Sequence, residues 1–211
     1  MTVPASQRGP VGRLLRVLEI ALFTIGGVLA IWWVVVVARA YHYSRMPIPA
    51  PESAPSVVGK SPSQIAPLHA VRERGTWLAR LEAPSVHLAA TILEGSDDKT
   101  LARAAGHIEE TAAPGEAGNI GIAGHRDTIF RPLRYIHVGD LITLTTSDRL
   151  WRYRVTETRI VQAQDVYVLN PTAHSALTLV TCYPFQFIGH APKRFIVRAD
   201  LVGESARAAR P

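Results

Sequence analysis

The feature that most constrains this chain is an uninterrupted apolar segment near its N-terminus. Residues 20–38, nineteen in all, contain no charged side chain and read IALFTIGGVLAIWWVVVVA. At about 1.5 Å per residue, a helix of that length extends roughly 29 Å, which matches the hydrocarbon thickness of a bilayer. We therefore predict a single transmembrane helix over residues 17–38.

A cleaved signal peptide is the alternative interpretation of this segment. Its apolar core would be about 7–15 residues long and would precede a small-x-small cleavage site, whereas this run is longer and ends at Arg39. Arg8, Arg13 and Arg16 come before the segment, and Arg39 and Arg45 come after it. Counting Lys and Arg alone, we expect the N-terminal segment, residues 1–16, to lie in the cytoplasm. The chain after the transmembrane helix is then expected on the extracytoplasmic side.

Proline-rich residues separate the apolar segment from the remainder of the chain. Residues 46–67 contain six of the fifteen prolines, which is typical of an extended spacer, and we predict a linker over 39–75. Residues 1–75 carry eight Lys/Arg and three Asp/Glu, whereas residues 76–204 carry thirteen and fourteen. Because the positive charge is confined to the N-terminal part and the tail, 205–211, we expect no nucleic-acid partner.

Beyond the linker, short apolar alternations are separated by Gly, Pro, Asn and Asp, which is typical of an all-β domain. Trp151, Tyr153 and Val155 alternate with arginines, so one side of that strand is predicted to be buried and the other solvated. We predict one domain over residues 76–204, with strands at 77–82, 87–94, 119–124, 140–146, 150–162, 176–182 and 194–202.

One helix is predicted within this domain. Asp97 or Asp98 is a suitable N-cap for a helix over residues 99–105, and Gly106 is expected to end it. The sequence contains no internal repeat.

The only cysteine of the chain, Cys182, ends a strand-like apolar run. Residues 176–182 read ALTLVTC, and the nearby Pro184 cannot continue a central strand. A cysteine at a strand end can present its thiol as a nucleophile, although a free cysteine is more often a small buried hydrophobic residue. Both interpretations stay open on local sequence alone. A single cysteine does exclude an intramolecular disulfide and a cysteine-rich metal site.

His125 is the best-placed partner for such a nucleophile. A free cysteine is only a few per cent thiolate at pH 7, so a catalytic cysteine needs a nearby base or cation. His125 follows the strand-like run NIGIAG at 119–124 and can face a cavity there. Asp127 is a weaker candidate for orienting the imidazole. The other histidines have no comparable setting, with the partial exception of His190 in the loop after the cysteine.

Arg194 is a candidate donor for the oxyanion of a tetrahedral intermediate, a task that suits a fixed cation. It lies twelve residues after Cys182 and opens the next strand. Arg198 shares its side-chain parity and Lys193 is its neighbour, so a solvated arginine is the alternative interpretation.

Motifs for other chemistries are absent. The spacing of Gly118, Gly121 and Gly124 is not that of the phosphate-binding G-x-G-x-x-G motif, and no pair of histidines has helical zinc-site spacing. A Gly-x-Ser-x-Gly motif is also missing. We therefore predict no cofactor and no metal ion.

Three segments of the chain together resemble sortases, most of all the class D branch: GIAGHRDT at 121–128, TLVTCYPF at 178–185 and APKRFIV at 191–197. The similarity extends from about Leu78 to Leu201. It implies a closed, eight-stranded β-barrel with one or two short helices, so one strand is missing from the seven predicted above.

The resemblance also implies a role for each candidate residue. It puts the nucleophile on Cys182, the catalytic histidine on His125 and the catalytic arginine on Arg194, and it makes Arg198 an ordinary strand residue. Sortases cleave an LPXTG-like pentapeptide of a secreted protein between Thr and Gly, through a thioacyl-enzyme that an amine resolves. The expected partners are a secreted protein with a C-terminal sorting signal, an amine acceptor and the lipid bilayer.

Two departures from the class D pattern lie outside the three catalytic positions. Glu109 and Glu110 stand where a Pro-Gly turn is common, and Ala83-Pro84 stands where Ile-Pro is usual. Two other functions remain as alternatives to a membrane-anchored transpeptidase. One is a catalytically silent barrel that binds a partner and buries Cys182, and the other is a sortase-fold peptidase in which water resolves the thioester.

Overall fold

The computed structural model describes residues 10–44, 72–187 and 189–207. Helix α1 runs from Pro10 to Ser44 and extends beyond the predicted segment 17–38 at both ends. Its part Leu14–Ala38 is long and apolar enough to cross a membrane, judged by length and composition. Large apolar side chains along this part are exposed, as a membrane-spanning helix requires.

Residues 1–9, 45–71, 188 and 208–211 lie outside the described part of the chain. Most of the predicted linker and of the C-terminal tail falls in these stretches, so the domain boundaries stay predictions. Contacts between residues divide the chain into two units, one up to Arg39 and one from Ala40 onward.

The second unit contains eight strands, and the predicted closed, eight-stranded barrel is confirmed. Its strands are β1 (Trp77–Ala83), β2 (Leu88–Glu94), β3 (Ala105–His107), β4 (Asn119–Ala123), β5 (Leu141–Thr145), β6 (Arg149–Gln162), β7 (Ala176–Tyr183) and β8 (Lys193–Ala206). They close in the order β1-β2-β3-β4-β7-β8-β6-β5. Three short 3₁₀ turns lie in the connections, at Pro84–Val86, Arg131–Tyr135 and Val166–Leu169.

Apolar side chains fill the barrel because alternate residues of each strand point inward. In β6, Trp151, Tyr153 and Val155 are buried, whereas Arg152 and Arg154 are exposed, as the alternation predicts. Burial also raises the pKa of the Tyr153 hydroxyl to about 12, because the phenolate is poorly solvated inside the barrel.

The predicted helix over 99–105 is wrong in its length. Asp97 caps it as expected, since its carboxylate accepts hydrogen bonds from the backbone amides of Lys99 and Thr100. Hydrogen bonds to Thr100 lower the pKa of the Asp97 carboxyl. The helix α2, however, comprises only Asp98–Leu101.

Gly106 does not end a helix but lies in β3, the strand that the sequence pattern missed. This strand pairs in parallel with β2, and Gly106 lies across from Leu93. A Cβ on Gly106 would come within 2.1 Å of the carbonyl oxygen of Gly95. Glycine is therefore needed at this position for close backbone approach, not for chain termination.

Candidate active site

Cys182 is the last but one residue of β7 and lies on the outer side of the barrel. Leu177 and Leu179 are fully buried in the core, so the alternate residues Thr178, Val180 and Cys182 face the other side of the sheet. Cys182 is half-buried. A binding barrel that buries this thiol is therefore less consistent with the structure than a barrel that presents it.

His125 reaches the same edge of the barrel because β4 and β7 are parallel. Ala123, the last residue of β4, lies across from Val180 of β7, and two further residues bring the chain to His125. The amide of Gly124 donates to the carbonyl of Val180 at 3.1 Å, which continues the pairing beyond the strand. The hydroxyl of Thr181 donates to the carbonyl of Gly124 at 2.7 Å. These bonds anchor the backbone just before His125.

The segment after β4 also packs closely on its own chain. A Cβ on Gly124 would lie 2.7 Å from a ring carbon of Phe130, a fully buried residue. The amide of Phe130 donates to the carbonyl of His125 at 2.9 Å. The His125 side chain itself is exposed and makes no hydrogen bond with the residues that the structure describes.

Arg194 is the cross-strand partner of Cys182. The two residues lie opposite each other in the antiparallel pair of β7 and β8. Nη1 of Arg194 donates to the carbonyls of Ala191 at 3.1 Å and Lys193 at 3.0 Å. An arginine has five N–H donors, so the rest of this half-buried guanidinium can serve an incoming group.

One cleft brings the three predicted residues together. It has a volume of about 340 Å³, and its walls come from the segment after β4, the end of β7, the β7–β8 loop and the start of β8: His125, Arg126, Asp127, Cys182, Gly189, His190, Ala191 and Arg194. Asp127 and His190 thus share the cleft, but neither forms a hydrogen bond with His125 within the described part of the chain.

This arrangement has the parts that acyl transfer requires. A thiol, an imidazole and a guanidinium border one opening, and they can act as nucleophile, proton carrier and oxyanion donor. Over the described ranges, no group of three or more His, Cys, Asp or Glu side chains could hold a metal ion.

Arg198, which the resemblance makes an ordinary strand residue, takes part in a hydrogen-bonded group beside the Val166–Leu169 turn. Its Nη1 donates to the hydroxyl of Thr178 at 3.1 Å and to the carbonyl of Val168 at 3.2 Å. The Thr178 hydroxyl in turn donates to Oδ1 of Asn119 at 2.7 Å. Nδ2 of Asn119 donates to the carbonyls of Val168 and Asn170. This group, Asn119, Thr178 and Arg198, is called the polar network below, and it holds the Val166–Leu169 turn against the barrel.

The sequence analysis did not single out Arg126. It follows His125 directly and lines the same cleft. Its position beside His125 was a signal, but its contacts with residues more than sixty positions away cannot be derived from spacing.

Known proteins share this fold. A family model described as the sortase domain matches residues 81–202. Sortase D of Bacillus subtilis (strain 168) is 36% identical over 126 residues, which cover 59% of this chain and 64% of that protein. The chain therefore spans less than two thirds of the length of this relative.

Solved structures give the same result, and class D is among them. A Clostridium perfringens sortase D5 transpeptidase has a TM-score of 0.56 and 35% identity, covering 62% of this chain and 82% of that chain. Sortase E1 from Streptomyces coelicolor, solved with a tripeptide in the active site, has a TM-score of 0.57 and 32% identity, covering 63% and 92%. The family match covers more than half of the sequence and the barrel is shared, so the chain belongs to the sortase family.

Proposed function

We propose that this protein is a membrane-anchored cysteine transpeptidase that cleaves an LPXTG-like sorting signal and transfers the released acyl group to an amine. The observation that carries the proposal is the shared cleft: Cys182, His125 and Arg194 border one opening on a sortase barrel. The half-buried state of Cys182 supports it further, because a nucleophile must be reachable from solvent.

In the first half of the reaction, the Cys182 sulfur attacks as the thiolate. It forms a bond to the carbonyl carbon of the threonine in the signal, and the carbonyl oxygen becomes an oxyanion. When the tetrahedral intermediate collapses, the C–N bond to glycine breaks. His125, protonated, gives its proton to the leaving amine. The product of this half is a thioester between Cys182 and the threonine.

In the second half, an amine attacks the thioester carbon. His125, now neutral, takes a proton from this amine, a new amide bond forms and the Cys182 thiolate is released. Water in place of the amine would give a carboxylic acid, and the protein would then act as a peptidase. The two outcomes differ only in the second nucleophile.

Arg194 stays charged in both halves of the reaction and stabilises the oxyanion, or binds a substrate carbonyl, through its N–H donors. A guanidinium stays protonated near neutral pH, so Arg194 cannot replace His125 as the group that gives and takes protons. The carbonyls of Ala191 and Lys193 hold it from one side. A donor fixed in this way needs little reorganisation when negative charge develops.

We propose that α1 anchors the catalytic domain, residues 76–204, at the outer face of the cell membrane with residues 1–16 in the cytoplasm. The charge-free run at 20–38 and the excess of arginines before it support this topology. A cleaved signal peptide would instead give a shorter mature protein, which N-terminal sequencing of the membrane fraction distinguishes. The expected substrate is a secreted protein with a C-terminal sorting signal.

Peptide turnover combined with labelling of the only cysteine tests the proposal. The protein is incubated with an LPXTG-like peptide, with and without triglycine, and products are separated by mass. We expect cleavage between Thr and Gly, and a new amide with triglycine. A neutral thiol reagent should also label Cys182 near pH 7. A folded protein that labels slowly and turns over no peptide would instead be the silent binding barrel.

A further inference from the structure

Arg126 connects two of the chain segments that form the walls of the cleft. Its Nη2 donates to the carbonyl of Phe187 at 2.6 Å and to the carbonyl of Gly189 at 3.0 Å. Its guanidinium carbon also lies 5.9 Å from the centre of the Phe187 ring. One side chain thus joins the segment after β4 to the β7–β8 loop.

The β7–β8 loop, residues 184–192, is held by two arginines from opposite sides. Arg126 binds its carbonyls from the β4 side, and Arg194 binds the carbonyl of Ala191 from the β8 side. This loop begins two residues after Cys182 and ends just before β8. Its contact with Arg126 therefore joins two walls of the cleft that holds Cys182 and His125.

The position of His125 depends on backbone contacts and on Arg126. The carbonyl of Gly124 is fixed by Thr181, and the carbonyl of His125 is fixed by Phe130. Within the described ranges, the imidazole has no hydrogen bond of its own that would hold it near Cys182. Among the described residues, the Arg126 side chain is therefore the remaining link between the His125 segment and the β7–β8 loop that follows Cys182.

Arg126 contributes to this link at some cost. Its Nη1 is buried and has no hydrogen-bond partner among the residues that the structure describes, and an unpaired buried donor opposes folding. Its removal should consequently cost little stability. A residue that mainly stabilised the fold would give the opposite result.

We propose that Arg126 is a positioning residue that ties the β7–β8 loop to the His125 segment and so keeps His125 beside Cys182, where the imidazole can exchange a proton with the leaving and incoming amines. The inference rests on the proposed function for its catalytic part, but the tie itself is a property of the fold. A lysine does not reproduce it, because its side chain is shorter and carries no planar group to face the Phe187 ring.

Arg126→Gln and Arg126→Lys test this proposal, with Arg131→Gln as the matched control. Arg131 is an exposed arginine five residues further along, so its loss removes the same charge from the same region. We expect both Arg126 variants to lose about 10–100-fold in kcat, as misplacement by about 1 Å can cause. KM should change much less. The control should match the wild type in both constants.

Hydrogen exchange of the β7–β8 loop gives a readout that does not depend on turnover. We expect faster exchange in both Arg126 variants than in the wild type and in Arg131→Gln, at nearly unchanged melting temperature. Equal exchange in all proteins would overturn the tie. An unchanged kcat would overturn the positioning role, and a large fall in melting temperature for both variants would make Arg126 a structural residue and overturn it too. A wild type without any turnover, but with the exchange difference, would contradict the proposed function and leave the tie supported.

Discussion

Two arginines of β8 each lie opposite a polar residue of β7, and the two pairs differ in how far they are exposed to solvent. Arg198 lies across from Thr178, and Arg194 lies across from Cys182. Thr178 is fully buried, and the polar network to which it belongs also binds the Val166–Leu169 turn. Cys182 is half-buried beside an open cleft, and no hydrogen bond joins it to Arg194 among the described residues.

The difference shows how one sheet geometry can serve two purposes. A buried polar network with its groups paired stabilises the fold, because loss of one member leaves the others unpaired in a poorly solvated place. An arginine with free donors beside an opening can bind a group that arrives from outside. Substitutions in the polar network should therefore change the free energy of unfolding, and substitutions around Cys182 should change turnover.

The largest effect is expected for Cys182→Ala. The variant should lose peptide cleavage entirely and keep its fold, because a small apolar side chain replaces a small, weakly polar one. Turnover and thermal unfolding would be measured on the same preparation. Retained cleavage in a protein that has no other cysteine would refute the nucleophile assignment.

Arg194→Lys should have the next largest effect, a loss of about 10²–10³-fold in kcat, which is typical for removal of one oxyanion donor. A lysine keeps the charge but not the planar fork of donors. Arg198→Lys is the matched control and should change kcat little. Equal losses of turnover in the two variants would mean that the arginines had been assigned wrongly.

Thr178→Val should lower the free energy of unfolding by about 1–3 kcal/mol, because Asn119 and Arg198 each lose a buried hydrogen-bond partner. Turnover by the folded protein should stay near that of the wild type. Urea unfolding checks the first part. Thr143→Val is the control, since Thr143 is half-buried on β5 and its hydroxyl bonds to none of the described residues. A stability loss of the same size in that control would remove the special role of the polar network.

The smallest effect is expected for removal of the anchor. A protein that begins at Ser63 should be soluble and should cleave a free peptide within about twofold of the detergent-solubilised full chain, because the described residues that line the cleft all lie between His125 and Arg194. The anchor should matter only when the substrate is also held at a membrane, where it raises the local concentration. A folded but inactive truncated protein would show that residues before Ser63 complete the site.

The sequence pattern predicted most of the strands because the longer ones alternate strongly, whereas the closed barrel was implied by the resemblance to sortases. Seven strands follow from apolar periodicity or from a continuous apolar run, as in β6 and β7. The three-residue β3 is too short for a period of two to be visible. Gly106 was misassigned because a glycine that ends a helix and one that allows close backbone approach look alike in a sequence.

The candidate residues were predictable to a similar extent. Cys182 lies one residue before the end of β7 and His125 two residues after the end of β4, and parallel pairing of those strands brings them to one edge. Arg194 and Arg198 share side-chain parity, so their surroundings could not be told apart without the position of the Val166–Leu169 turn. Arg126 was missed because its partners come from a loop whose path no local pattern determines.

The thioacyl-enzyme is the most direct test of the account, because only a nucleophilic Cys182 can form it. The protein is mixed with an LPXTG-like peptide and the reaction is quenched in acid. The mass of the intact protein is then measured by mass spectrometry, and the adduct is located by peptide mapping. We expect the mass of the acyl fragment ending in threonine on Cys182, its disappearance when triglycine is added, and no adduct on Cys182→Ala. Cleavage that proceeds without an adduct on Cys182, or with one on another residue, would contradict the account.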